Sequence, residues 1–415
     1  MLEVAGRNRL RFLILLLAAA FFIRYGAVLA LRDWHKGPGL EFGADGVDFN
    51  ELALQVAAGH GFSWPTGQAT SFRAPGFPFV LAGVYALSGN SYPAAYLSFC
   101  LMGALACLFI YLMMRELVAE RGARIAAVLS AAYIPHIYLA TVFSSESSFI
   151  PCLAAGLWLF IRYLKQGPLW LLALAGLVFG WSALTRPFAV LLLPALLATL
   201  VWSQRAKRWT ALVHAFVLTV LFTAVLAPWT IRNYAVHGRF VLVATNGGST
   251  FYGGNNIRVL KEWRHWGGWL STTQLPGRNL IDATPDEVSH DQMEWRLGRQ
   301  WLSQNLASAP LLGLYKLARL WLPDVDSRNT KYVLLQAAGY TPFLLLFVFG
   351  LWRLLRNGVC WTAPWLALHG ATLATVLTAL IFWGSPRFRD ANLAPLMAYA
   401  ALGWETLFPR KDNRV

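Results

Sequence analysis

Three acidic residues and a scatter of cations are the groups in this sequence placed to do chemistry. Asp45 and Asp48 open a run in which Phe49, Leu52, Val56 and Ala57 recur at helical spacing before Gly59 ends it. At a helix start a carboxylate either caps free amide hydrogens or, favoured there by the helix dipole, stands as a reactive group. Glu146, in Phe143-Ser-Ser-Glu-Ser-Ser-Phe149, joins two apolar stretches. A carboxylate at membrane depth costs roughly 2.5 kcal/mol or more unless paired or hydrated, so a wet turn and a functional acid are its two readings. Arg73, in Ser71-Phe-Arg-Ala-Pro-Gly-Phe-Pro78, either snorkels to an interface or clasps a phosphate through paired charge-assisted bonds. Arg186, Arg232, Lys316, Arg319, Arg387 and Arg389 also interrupt or border apolar segments. Together these cations ask for an anionic partner, and a lipid phosphate or pyrophosphate fits.

The elements that position these groups follow from composition. Of 415 residues 57% are hydrophobic and only 13% charged, with a mean hydropathy of +0.48. Soluble domains carry about 25% charged residues, and several runs here reach the roughly 18–20 apolar residues that a bilayer core demands. A soluble globule is excluded, and an all-α polytopic membrane protein is expected. The net charge is +15, from 35 Lys+Arg against 20 Asp+Glu. In a soluble protein that excess would point to nucleic acid; here the positive-inside rule explains it, and no nucleic-acid partner is expected.

Parity assigns the sides. An apolar stretch to Leu31 behind Arg7, Arg9 and Arg11 is too long for a signal peptide and reads as an uncleaved first span. About ten spans (11–31, 92–114, 124–142, 147–164, 168–185, 187–203, 209–229, 331–353, 361–383 and 391–408) put every basic cluster inside, with both termini cytoplasmic. The clusters are Arg115/Arg121/Arg124, Arg162/Lys165, Arg205/Lys207/Arg208, Arg353/Arg356 and Arg410/Lys411/Arg414. Residues 76–88 are too short to span comfortably and read as a helix at the outer interface. One membrane domain over 1–415 results, with outer segments at 32–91 and 230–330 and with the seven cations on the outer face. Residues 285–301 read as a solvated amphipathic helix of structural role. His60, between two glycines, and Asn255 and Asn256, after Tyr252-Gly-Gly, are candidate sugar or acceptor contacts, though such clusters also make ordinary turns.

Absent patterns narrow the classes. The sequence holds no Walker A loop, HExxH, GxSxG or first-loop DxD, so ATP-driven transport, zinc proteolysis and serine hydrolysis lack support. Cys100, Cys107, Cys152 and Cys360 lie in or beside apolar runs without metal or disulfide spacing.

In order and topological side, these motifs resemble the GT-C membrane glycosyltransferases, nearest to the branch of protein O-mannosyltransferases and the lipid A aminoarabinose transferase (PMT-like, ArnT-like). The resemblance rests on Asp45-x-x-x-Phe49-x-x-Leu52-Ala53, Gly59-x-Gly61-Phe62, Arg73-Ala-Pro-Gly-Phe-Pro78, Glu146, and Thr185-Arg-Pro187. It continues through Pro228-Trp-x-x-Arg232-Asn233, Gly254-Asn-Asn256 and Pro386-Arg-Phe-Arg389. Phe49 stands where the family often has Tyr, and Ala74 where it often has Pro. The resemblance implies a GT-C fold of about ten transmembrane helices with interfacial helices and a mixed outer loop region. It implies a sugar carried on polyprenyl phosphate and an acceptor glycan, lipid or protein on the outer face; the compact loops and missing retention signal favour a bacterial inner membrane, with that face periplasmic. Asp45 matches the family's first-loop carboxylate, with Asp48 its neighbour and Glu146 the second acidic position. Arg73, Arg186, Arg232, Lys316, Arg387 and Arg389 are then expected to hold the donor phosphate. One main carboxylate and direct displacement predict inversion at the anomeric carbon, and no metal or other cofactor is expected. A transporter or flippase of a lipid-linked sugar would use the same outer cations without a catalytic carboxylate.

Overall fold

The computed structural model describes residues 2–39, 44–323, 330–356 and 358–409. Helices dominate, as they must where no water satisfies backbone groups. In chain order they are α1 Leu2–Leu31, α2 Ala44–Ala57, α3 Gly76–Ser88, α4 Tyr92–Leu117, α5 Glu120–Ala132, α6 Ile134–Leu139, α7 Glu146–Gln166, α8 Leu169–Thr185, α9 Leu192–Ser203 and α10 Arg208–His237. The second half adds α11 Gly247–Gly254, α12 Ile257–Lys261, α13 Arg278–Asp282, α14 Glu287–Gln304, α15 Ala309–Trp321, α16 Thr330–Arg356, α17 Ala363–Ile381, α18 Pro386–Ala391 and α19 Leu393–Leu407. Among the described residues there is no strand, only an isolated antiparallel bridge between Ser63 and Ala69.

Among the described residues six helical segments are long and apolar enough to cross a membrane: Arg7–Leu31, Tyr92–Leu117, Glu146–Lys165, Arg208–His237, Ala337–Arg356 and Ala363–Ile381. The chain is thus a multi-pass membrane protein. Each of the ten segments expected to span contains helix, but four are shorter or broken. The 124–142 segment splits at Tyr133 into α5 and α6, because Pro135 near the start of α6 can donate no backbone hydrogen bond. Residues 187–203 begin with a 3₁₀ turn before α9, and α8 and α19 are 17 and 15 residues long.

Side-chain contacts sort the two ends of the bundle. At one end Arg9, Arg115 and Arg124 converge on Glu120, Arg162 and Lys165 on Glu116, and Arg121 donates to the Phe408 carbonyl. These are residues of the clusters expected inside. Arg410, Lys411 and Arg414 lie outside the described residues. At the other end, α2 and α3 pack together through an edge-to-face contact of Phe49 and Phe77, ring centroids 5.3 Å apart. The loop region between α10 and α15 gathers there on its own apolar cluster of Tyr252, Val259, Leu270, Leu275, Ile281 and Leu312.

Candidate active site

Five helix ends meet where α2, α3, α7, α8 and α18 converge, and each presents a charged residue for a local reason. Asp45 lies in the first turn of α2 and Glu146 in the first turn of α7, where the helix dipole favours an anion. Arg186 caps the end of α8, before Pro187 turns the chain. Arg387 opens α18, its amide held by the Ser385 hydroxyl. Arg73 precedes α3, whose first residue is a glycine of necessity: a Cβ on Gly76 would lie 2.4 Å from the Thr185 hydroxyl oxygen. That close approach sets the Arg73 loop beside Arg186.

The charges alternate. Arg73 bonds Asp48 Oδ2 through Nε at 2.8 Å and Nη2 at 2.6 Å, and the same Nη2 lies 2.8 Å from Asp45 Oδ1. Asp45 Oδ2 is 3.2 Å from Arg387 Nη1, while Arg387 Nε reaches Glu146 Oε1 at 2.8 Å. Arg186 Nη1 completes the chain 2.6 Å from Glu146 Oε1. Glu146 is fully buried and also accepts from the Ser144 and Ser145 hydroxyls. Burial raises the carboxyl pKa of both aspartates, but at Asp45 the guanidiniums of Arg73 and Arg387 outweigh it and hold the group below the usual range. At Asp48 burial prevails over Arg73 and the pKa is raised. Removing one partner of a buried pair such as Glu146–Arg186 costs about 3–5 kcal/mol.

A cavity of about 200 Å³ opens on the array. Asp45, Arg73, Arg186 and Arg387 line it on one side, and Asn246, Gly247 and Thr250 of α11 and its approach on another. Phe188, Phe382, Trp383 and Phe388 supply aromatic walls. Pro187, Phe188, Gly247 and Phe382 also border a second, largely apolar groove, lined further by Val190, Leu191, Val241 and Val243.

The other expected site residues sit elsewhere. Arg232 donates to the carbonyls of Thr70 and Phe62, both at 2.7 Å, and stacks on Trp229, tying the 62–71 loop to α10. Lys316 is buried and donates to Asn255 Oδ1 and the Leu380 carbonyl at 2.8 and 2.9 Å. Arg389 is buried, paired with Asp390 at 3.0 Å and set over the Tyr340 ring. Asn255 binds the Phe251 and Ile381 carbonyls. Asn256 caps α12, and exposed His60 pairs with Gln55. The structure brings none of these six to the cavity wall.

Sequence reasoning passed over two kinds of residue. Asn246 and Gly247 lie in Thr245-Asn-Gly-Gly-Ser249, whose glycine and amide groups suit a sugar contact as well as an ordinary turn, and Thr250 carries no signal of its own. Phe382 and Trp383 ended an apparent span, where aromatic residues are ordinary. A Cβ on Gly254 would stand 2.0 Å from the Phe382 carbonyl oxygen, and only glycine there lets α11 press against this segment. Glu287, in the helix read as structural, accepts from Thr70, Ser71 and Thr245 and joins the outer loops.

Residues 72–231 match the family model of dolichyl-phosphate-mannose-protein mannosyltransferases. No curated protein matches the chain in sequence. Among solved structures, the archaeal oligosaccharyltransferase AglB from Archaeoglobus fulgidus, in complex with an inhibitory peptide and a dolichol-phosphate, is similar at a TM-score of 0.58. Its sequence identity is 15%, over 96% of this chain and 50% of that one. The same enzyme in complex with Zn and sulfate gives 0.57 at 16% identity, over 96% and 49%. ArnT from Cupriavidus metallidurans, bound to undecaprenyl phosphate, gives 0.46 at 15% identity, over 95% and 78%. The chain spans about half the length of the AglB chains it matches. The matched segment contains Arg73, Glu146 and Arg186, three members of the charged array. The chain thus shares the fold of AglB, and over residues 72–231 it is similar to the dolichyl-phosphate-mannose-protein mannosyltransferases.

Proposed function

We propose that this protein is a membrane glycosyltransferase that moves a sugar from a polyprenyl-phosphate-linked donor to an acceptor hydroxyl on the outer, periplasmic face of a bacterial inner membrane. The observation that carries this reading is the cavity in which half-exposed Asp45 faces Arg73, Arg186 and Arg387. The matched family and AglB, whose structure holds a dolichol-phosphate, support the lipid-carrier chemistry.

Each part has a job in that reaction. The guanidiniums hold the donor phosphate, and their fixed positions stabilise the charge that grows on it as it leaves. The sugar sits against the aromatic wall of Phe382, Trp383 and Phe388. The apolar groove beyond Phe188 and Phe382 suits the isoprenoid chain. The acceptor oxygen forms its bond to the anomeric carbon while the carbon–oxygen bond to phosphate breaks, and the electron pair departs with the polyprenyl phosphate. The hydroxyl proton passes to Asp45. Single displacement inverts the anomeric centre. Glu146, buried behind the cavity, acts as a positioning residue for Arg186 and Arg387.

The test is transfer of radiolabelled sugar from polyprenyl-phosphate donors in reconstituted vesicles, comparing wild type with Asp45→Asn. Transfer by wild type that is lost in the variant supports the reading. Translocation of the lipid-linked sugar without transfer, unaffected by Asp45→Asn, would make the protein a flippase instead.

A further inference from the structure

Asp45 is the most accessible carboxylate of the array, yet both its oxygens are occupied. Oδ1 meets Arg73 Nη2 at 2.8 Å and Oδ2 meets Arg387 Nη1 at 3.2 Å. Those two arginines are each anchored from behind by a second carboxylate. Asp48, 22% exposed, holds Arg73 by Nε and Nη2; Glu146, 0% exposed, holds Arg387 by Nε and Nη2. Without Asp45 both guanidiniums would therefore stay in place. Asp45, at 40% exposure, lines the cavity beside both and occupies Nη2 of Arg73 and Nη1 of Arg387.

We infer that the donor phosphate and Asp45 compete for the same N–H groups of Arg73 and Arg387, so that donor binding displaces Asp45 and thereby frees it to accept the acceptor's proton. This rests on the function proposed above and deepens it, by fixing which groups the phosphate engages and the order of binding. A phosphate oxygen accepts charge-assisted hydrogen bonds from a guanidinium as a carboxylate oxygen does, with comparable geometry. Two anions cannot share those N–H groups at full strength, since like charges at this distance repel. Because Asp48 also holds Arg73 through Nε, and Glu146 holds Arg387 through Nε and Nη2, the exchange moves Asp45 and leaves the cations fixed.

The exchange also accounts for how a weak base becomes a useful one. While Asp45 is bound by two guanidiniums its affinity for a proton is held down, which suits storage and not proton uptake. Losing both partners to the phosphate restores that affinity at the moment the sugar is in place. An acceptor arriving first finds Asp45 engaged, so the donor binds before the acceptor.

The experiment is direct binding of undecaprenyl phosphate to the full chain in nanodiscs, for wild type, Asp45→Asn, Asp45→Ala and Asp33→Asn. Asp33 pairs with Lys36 in an exposed salt bridge and serves as a charge control. The two Asp45 variants are expected to bind undecaprenyl phosphate about fivefold tighter than wild type, the scale of one half-exposed ion pair. Asp33→Asn is expected to match wild type. Unchanged or weaker binding in both Asp45 variants, with wild type binding intact, overturns the exchange and leaves the glycosyltransferase reading standing. Failure of wild type and all variants to bind undecaprenyl phosphate or dolichyl phosphate overturns the reading on which the exchange rests, and the exchange with it.

Discussion

Arg387 lies 342 positions after Asp45 in the chain, yet its Nη1 stands 3.2 Å from Asp45 Oδ2. The contact closes the first loop against the segment before the last helix, and it does so through a guanidinium whose other N–H groups are held by Glu146. One arginine thus couples a half-exposed carboxylate to a fully buried one.

Arg387 should therefore be intolerant even of lysine. A single ammonium supplies charge but lacks the planar fork that binds Glu146 and Asp45 at once. Arg387→Lys is expected to lower sugar transfer by about 10²-fold or more, the scale of removing one preorganised donor. Transfer within about threefold of wild type, measured in vesicles, would show that charge alone suffices.

The two aspartates of α2 should separate by role. Asp48 touches Arg73 and does not line the cavity, whereas Asp45 does. Asp45→Asn is expected to cost about 10²–10⁴-fold in transfer rate, the range of a lost acid–base group. Asp48→Asn should cost about tenfold, through a less firmly held Arg73, with the loss falling mainly on donor KM. The reverse ranking would assign the proton to Asp48.

How much of this array was legible in sequence depends on which groups partner each charge. Asp45, Arg73, Glu146, Arg186 and Arg387 were recognisable because each interrupts or borders apolar sequence at the same end of the bundle. Arg387 and Arg389 looked equivalent, but residues two apart on a helix face opposite ways. One reaches Asp45, and the other lies over Tyr340 in the core. Arg232 was indistinguishable from a ligand-binding arginine because its acceptors are backbone carbonyls, which leave no mark in the sequence. The break between α5 and α6 was signalled by Pro135 but hidden inside a continuous apolar run.

Glu146 should matter more to stability than to the chemical step. Glu146→Gln leaves Arg186 and Arg387 facing a neutral amide in a buried site. The expected cost is about 3–5 kcal/mol, read as a marked fall in Tm. Glu146→Asp keeps the charge and should recover part of that loss. A Gln variant as stable as wild type would mean that the pair is hydrated and weak.

Lys316 gives the stability a pH dependence of known sign. Burial lowers its pKa from 10.5 to about 7, and among the described residues its partners are Asn255 and the Leu380 carbonyl, with no carboxylate bonded to it. Between about pH 7 and 10.5 the unfolded chain holds a proton that the folded one has released, so this lysine's contribution to stability rises with pH across that window. Below about pH 7 both states are protonated and its penalty is full. Lys316→Met should melt above wild type near pH 7, and the gap should shrink by about 10 °C as the pH approaches 10, on a scale of roughly 1.4 kcal/mol per pH unit and 2–4 °C per kcal/mol. A gap that stays constant with pH would show that the buried amine does not titrate.

Transfer should also proceed unchanged in chelator. Both oxygens of Asp45 and of Glu146 already meet guanidinium or hydroxyl groups, and so does one oxygen of Asp48. A divalent cation would have to displace those partners and then sit beside Arg73, Arg186 and Arg387, whose repulsion would oppose its binding. In the proposed reaction the arginines supply, from within the chain, the positive charge that a departing phosphate requires. Rates with and without EDTA are expected to agree within about twofold, since this charge stabilisation does not leave with a metal. A loss in EDTA that added Mg²⁺ or Mn²⁺ restores would show instead that a carboxylate gives up its arginine to bind metal during turnover.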